Sequence, residues 1–174
     1  ENILIPTPED YYAVGTVVKI KQMLKIQGDA VRVLVEGQYR AVMSGIATEE
    51  PYIMAEITEA EIVPADPQEI EVQALMRSVL YAFDDYMELN PGIKDEVYEL
   101  ISAIEEPDIF ADTVAMQMDS KVTAKQEVLE AFDVKQRLEI VDRQILEENQ
   151  ILAMERDISE RVQEAVKQNQ KEYI

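Results

Sequence analysis

DVKQRLEIVDRQILEENQILAMERDISERVQEAVKQNQKEYI, residues 133–174, contains neither glycine nor proline. Asp133 has the short acceptor side chain that caps the freed amides of a helix start. Behind it Val134, Leu138, Val141, Ile145 and Leu152 recur at steps of three, four or seven. Such a narrow apolar stripe is the pattern of a helical seam. Beyond Met154 the stripe continues through Ile158, Val162 and Val166 in a shifted phase. A single helix over this length would span roughly 60 Å at 1.5 Å per residue. A small domain is about half that wide, so the far end is expected to project. The last residues are still helix formers, which predicts that the rod leads to another part of a longer protein.

Composition limits what the chain can do. Its 174 residues suit one domain or two small lobes, and a hydrophobic content of 47 % is ample for a core. Sixteen basic residues against 36 acidic ones give a net charge of −20. That field repels nucleic acid and anionic membranes, so neither is expected as a partner. No run approaches the ~18 apolar residues of a membrane span. Without cysteine there is no disulfide, thiolate metal site or cysteine nucleophile, which fits a reducing compartment. Without histidine the commonest general base and metal ligand are missing.

Upstream of the helix the period changes twice. Residues 1–10, with two prolines, read as a loop or the tail of a missing element. From Val14 the period is two, with Val14, Val18, Ile20 and Leu24 on one face and Val17, Lys19, Lys21, Met23 and Lys25 on the other. Gly28-Asp29 predicts a tight turn, Val31, Val33 and Val35 alternate with Arg32, Leu34 and Glu36, and Gly37-Gln38 predicts a second turn. A further extended run over 52–63 carries Ile53, Ala55 and Ile57 on one face. The expectation is an antiparallel meander of about four strands with edges left to cover. Pro64 and Pro67 end it. Four helical segments follow before the long helix. The expected class is α+β: a β-rich lobe over 1–66, a helical lobe over 67–132 and the long helix over 133–174.

No catalytic constellation emerges. The five glycines never fall in a phosphate-loop frame, and no G-x-S-x-G is present. Ser120-Lys121 reads as turn chemistry between helices, and the carboxylates read as a solvated face. Catalytic, cofactor-binding and metal-ligating residues are therefore expected to be none. Met23 and Leu34 are different, because each shares a strand face with charged residues. If those faces are wet, both are exposed on neighbouring strands; they are then either a patch covered by a further strand or by the helical lobe, or a sticky surface for apolar segments of another protein.

The residues then resemble a family. VGTVVKIKQMLKIQGDAVRVLVEGQYRA, residues 14–41, is similar to the core of the amino-terminal domain of the Lon ATP-dependent proteases. ALMRSVLYAFDDYMELN, IEEPDIFADTVA and KQEVLEAFDVKQRLE follow in the family's order, and RVQEAVKQNQKEYI resembles its R-V-x-x-x-M-x-x-x-Q-R-E-Y-Y close. The family's opening hydrophobic strand is absent, and its ATPase and serine-lysine peptidase modules lie beyond residue 174. The resemblance implies a non-catalytic domain of a cytoplasmic, hexameric protease whose ATP and Mg belong to the absent ATPase module. It implies capture of unfolded or misfolded protein substrates, for which Met23 and Leu34 are the expected contacts, and a long helix that couples the domain to the ATPase ring; the stripe Val134, Leu138, Val141, Ile145 and Leu152 is the expected assembly seam and supports the next reading as well. The other reading is a scaffold: a globular head on an oligomerising helix, with no substrate contact.

Overall fold

Three antiparallel strands, β1 (Val14–Lys25), β2 (Val31–Thr48) and β3 (Met54–Glu59), form one sheet in the order β1-β2-β3. They are seen in a computed structural model that describes residues 6–172. The first half of the expected loop over 1–10, and Tyr173 and Ile174, lie outside the described residues. The chain divides into two units, Glu1–Ile62 and Val63–Ile174.

The turn at Gly28-Asp29 is present. Gly28 has φ +83°, a conformation that side chains with a Cβ resist, and the Ile26 N–H donates to the Ala30 carbonyl at 3.0 Å to close the loop. The second predicted turn is absent, so among the described residues the sheet has three strands rather than four. Gly37 stays extended opposite Val18, and Gln38 is the extra residue of a bulge between Val18↔Gly37 and Val17↔Tyr39. A bulge bends and twists a long strand without ending it. β2 therefore runs 18 residues and serves both neighbours.

In the second unit the helical segments fall where the period placed them: α1 (Ile70–Leu89), α2 (Asp95–Ser102), α3 (Pro107–Gln117), α4 (Val122–Glu130) and α5 (Val134–Glu172). Pro107 opens α3, where its missing N–H costs nothing. Asp133 caps α5 as expected, its Oδ1 accepting from the Gln136 N–H at 3.1 Å. Val63 is pinned beside this start, donating to the Phe132 carbonyl and accepting from the Val134 N–H, both at 3.0 Å. α1 and α5 run side by side in the same direction. Lys135 reaches Glu69 and Glu71 at 2.6 Å near one end, and Asn149 Nδ2 donates to the Ala82 carbonyl at 2.8 Å further along. The two carboxylates hold the Lys135 ammonium well above the usual lysine range. The core between the helices contains Val72, Val79 and Phe83 of α1, Phe110 and Val114 of α3, and the apolar stripe of α5.

Candidate functional site

The β1–β2 hairpin presents two faces of different chemistry, and its bulges decide which residue lies on which. Residues paired across an antiparallel ladder share a face. Ile20 pairs with Val35 and Met23 with Val33, while Lys21 between them has no partner in the ladder. That extra residue reverses the alternation of β1, so Ile20 and Met23 both join the face of Val31, Val33 and Val35, with Val18 further down. All six are exposed apolar side chains. The opposite face carries Lys19 across from Glu36 and Gln22 across from Leu34, with Arg32 and Leu24 paired beside them. Lys21 forms an ion pair with Glu36.

Met23 and Leu34 are both exposed, at 63 % and 59 %. They do not form one patch: Met23 lies on the apolar face and Leu34 on the charged one. The expected grouping of Met23 with Lys19 and Lys21 is corrected for the same reason. Periodicity carries a face along a strand only until a bulge adds a residue.

The base of the sheet holds a second feature that sequence reasoning did not find, although it did place Ile53, Ala55 and Ile57 on one face. These three, with Met43, Val17 and Tyr12, line an apolar groove of about 390 Å³. Its floor is Ala41, the one buried apolar residue of the first unit among the described residues. Small Gly15 and Ala41 stand opposite each other in the ladder and leave that space. Two adjacent small residues on paired strands are the signal that could have pointed to it.

The stripe of the long helix has another role than its pattern suggested. Val134, Leu138, Val141 and Ile145 are fully buried, and Leu152 packs at the margin of the same core. They are covered by the chain's own helices, so in this structure these residues are not a seam open to a second molecule. A stripe shows that a helix face is buried; it does not show what buries it. Beyond Met154 the helix continues without a break, so the change of phase is a change of face. At about 100° per residue, Met154 points nearly opposite the first stripe and Ile158, Val162 and Val166 drift back toward it, Val162 by then about a quarter-turn away. Every residue from 153 to 170 is exposed.

Arg137 and Gln144 also went unremarked in the sequence. Arg137 is buried, its Nε donating to the Ala131 carbonyl at 2.9 Å and its Nη1 to Asp112 Oδ1 at 3.2 Å. Gln144, one heptad on, donates to the Ala124 carbonyl at 3.0 Å and to Glu127 at 2.9 Å. Their spacing along one flank of the apolar stripe is the trace they leave in the sequence. Both tie α5 to the loops and helices before it.

Comparison with known proteins agrees with this picture. Residues 1–147 match the family described as the ATP-dependent protease La (LON) substrate-binding domain. The chain is 40 % identical over 172 residues to a Lon protease of Clostridioides difficile, covering 97 % of this chain and 22 % of that protein. It is 38 % identical to a Lon protease of Bacillus thuringiensis, covering 99 % and 22 %. It thus spans about a fifth of the length of these relatives. Among solved structures, the N-terminal domain of a Mycobacterium avium complex Lon protease superposes with a TM-score of 0.65 at 23 % identity, covering 80 % of this chain and 73 % of that one. That likeness bears on the fold and agrees with the α+β class.

Proposed function

We propose that this chain, which belongs to the family of Lon protease substrate-binding domains, captures unfolded or misfolded protein segments on the apolar face of its β1–β2 hairpin. The observation that carries the reading is the exposed set Val18, Ile20, Met23, Val31, Val33 and Val35 on one side of the hairpin. Exposed apolar patches of this kind on a highly charged protein mark contact surfaces. Met23 is the central contact. Leu34, on the other face, contributes where a segment wraps the strand pair.

Catalysis belongs elsewhere in this reading. The ATP, Mg and serine-lysine chemistry of the whole protease would come from segments other than this chain, acting in the cytoplasm. α5 then works as a rigid connector toward the ATPase ring, and the hexamer would gain its contacts along the exposed stripe Met154, Ile158, Val162 and Val166. A single patch binds weakly, because ordering a flexible chain offsets most of the contact energy. Six copies in a ring raise the effective affinity without a new contact.

The test is fluorescence anisotropy of this chain with an unfolded, apolar-rich protein and with the same protein in its native form. Binding of the unfolded form alone, lost on Met23→Ser, is the expected result. A folded chain that ignores both forms would favour the second reading, a scaffold built on α5. The exposed distal stripe is what favours that alternative, and sedimentation of Ile158→Ser against the parent chain tests it.

A further inference from the structure

We propose that Met23 is a modification site: oxidation of its thioether to the sulfoxide by a peroxide weakens capture on the apolar face of the hairpin, and a thiol-dependent reductase restores it. The inference rests on the capture reading and adds a control on it. The chain has eight methionines and no cysteine, so thioethers are its only sulfur. Met118 is buried and Met43, Met76 and Met87 are half-buried, whereas Met23, Met54, Met116 and Met154 are exposed. Exposure decides which thioethers an oxidant reaches first.

Position separates Met23 from the other three. In the ladder it stands opposite Val33, between the Ile20–Val35 pair and the Lys25–Val31 pair. It is the one sulfur between residues 18 and 37. The apolar side chains that share its face are aliphatic and inert to peroxide. They are also β-branched and stiff, as strands favour. Met23 is unbranched and polarisable, which suits contact with segments of many shapes. It is also the point at which this face can be made polar without a change of sequence.

The chemistry is a two-electron oxygen transfer. A lone pair on Met23 Sδ attacks one oxygen of hydrogen peroxide. The S–O bond forms as the O–O bond breaks, the sulfur is oxidised by two electrons, and the second oxygen leaves as water. The product is a polar, chiral side chain with a strong acceptor oxygen in the middle of the apolar row. An apolar segment lying over it would strip that oxygen of water and offer no donor in return. In the reverse step two thiols of a reductase remove the oxygen as water and close to a disulfide. Those thiols come from another protein, since this chain has no cysteine.

The whole chain is treated with hydrogen peroxide, which is then removed with catalase. Binding of an unfolded, apolar-rich, methionine-free protein is read by anisotropy. Peptide mass spectrometry places each added oxygen, and circular dichroism follows the fold. Conversion of Met23 should weaken binding by about tenfold or more, the loss of one apolar contact. Methionine sulfoxide reductase with a dithiol should restore it. Met23→Leu has its own starting affinity, and peroxide should move that value by less than about twofold. The triple variant Met54→Leu/Met116→Leu/Met154→Leu keeps Met23 as its one exposed methionine among the described residues, and it should still lose binding on treatment. Equal losses in Met23→Leu and the parent chain would overturn the proposal. So would full binding by a chain whose Met23 is converted, or a Met23 that stays unmodified while Met116 and Met154 react. A loss that tracks unfolding rather than conversion of Met23 would overturn it as well. All of these leave the capture reading standing. A folded, untreated chain that binds no unfolded protein would remove the capture reading and this control together.

Discussion

Leu138→Ala separates the two roles open to the apolar stripe of α5. If the stripe is internal core, the substitution costs stability and leaves the mass of the particle unchanged. Leu138 has no exposed surface and belongs to the cluster with Val72, Val79 and Val114. Cutting it back to a methyl forfeits about 0.8 kcal/mol per carbon group, roughly 2.4 kcal/mol for the three lost. The cavity left between helices that cannot close on it raises the cost to about 3 kcal/mol. With a urea slope near 2 kcal/mol/M the midpoint should fall by about 1.5 M. Far-UV circular dichroism, dominated by the helical unit, follows the transition, and sedimentation follows the mass. Ile158→Ala is the control: half-exposed and outside the core, it should change stability by no more than about 0.5 kcal/mol. Unchanged stability of Leu138→Ala together with a lower sedimenting mass would refute the packing argument and return the residue to an assembly seam.

Arg137→Ala should cost about 2–3 kcal/mol, because it strands the Ala131 carbonyl it serves and leaves a cavity, while Asp112 is exposed enough to be solvated. Arg137→Met keeps the volume and should recover part of that loss in the same urea titration. Glu127 predicts a pH effect. Its carboxyl is held below the ordinary value of 4.5 by the Gln144 side-chain hydrogen bond first and by Arg143 second. A depressed folded value contributes stability above the unfolded value, and that stability disappears as pH falls through the folded one. Glu127→Gln should therefore flatten the acid limb of a stability profile just below pH 4.5. The change should stay under about 0.5 kcal/mol, because the group is nearly half exposed.

The same residues show how far the sequence could be read. Val31 to Glu36 alternate without a bulge on their own strand, and their two faces appear as the period implied. Pro107, Asp133 and the Asn90-Pro91-Gly92 break fix helix ends through local chemistry, which needs no tertiary context. Gly37-Gln38 misled because a glycine before a polar residue is the signature of a turn, while an extended glycine leaves no mark of its own. Lys21 misled more seriously. A bulge is a relation between two strands, and no residue of one strand announces it. One unpaired residue was enough to move Met23 across the sheet. The stripe of α5 was legible as buried, but its partner was not, since the faces of α1 and α3 that cover it look alike from any distance in sequence.

The two units divide the work of the chain in a way that bears on capture. Among the described residues the apolar core lies in the second unit, and the first buries Ala41 alone. The apolar side chains of the hairpin are thus not committed to a core and remain available for contact. Charge follows the same division. Lys19, Lys21, Lys25, Arg32 and Arg40 are all the basic residues of the first unit, and every one lies on β1 or β2. The helical unit holds most of the acidic excess. An unfolded segment with acidic residues is repelled by the helices and attracted by the hairpin, and both forces act before contact. Attraction over this range fades beyond about 8 Å at physiological salt. The association rate of acidic segments should therefore fall as salt rises, while dissociation, governed by the apolar face, should hardly change. On the proposed capture reading, charge selects which segments arrive, and the open apolar face determines how long they stay.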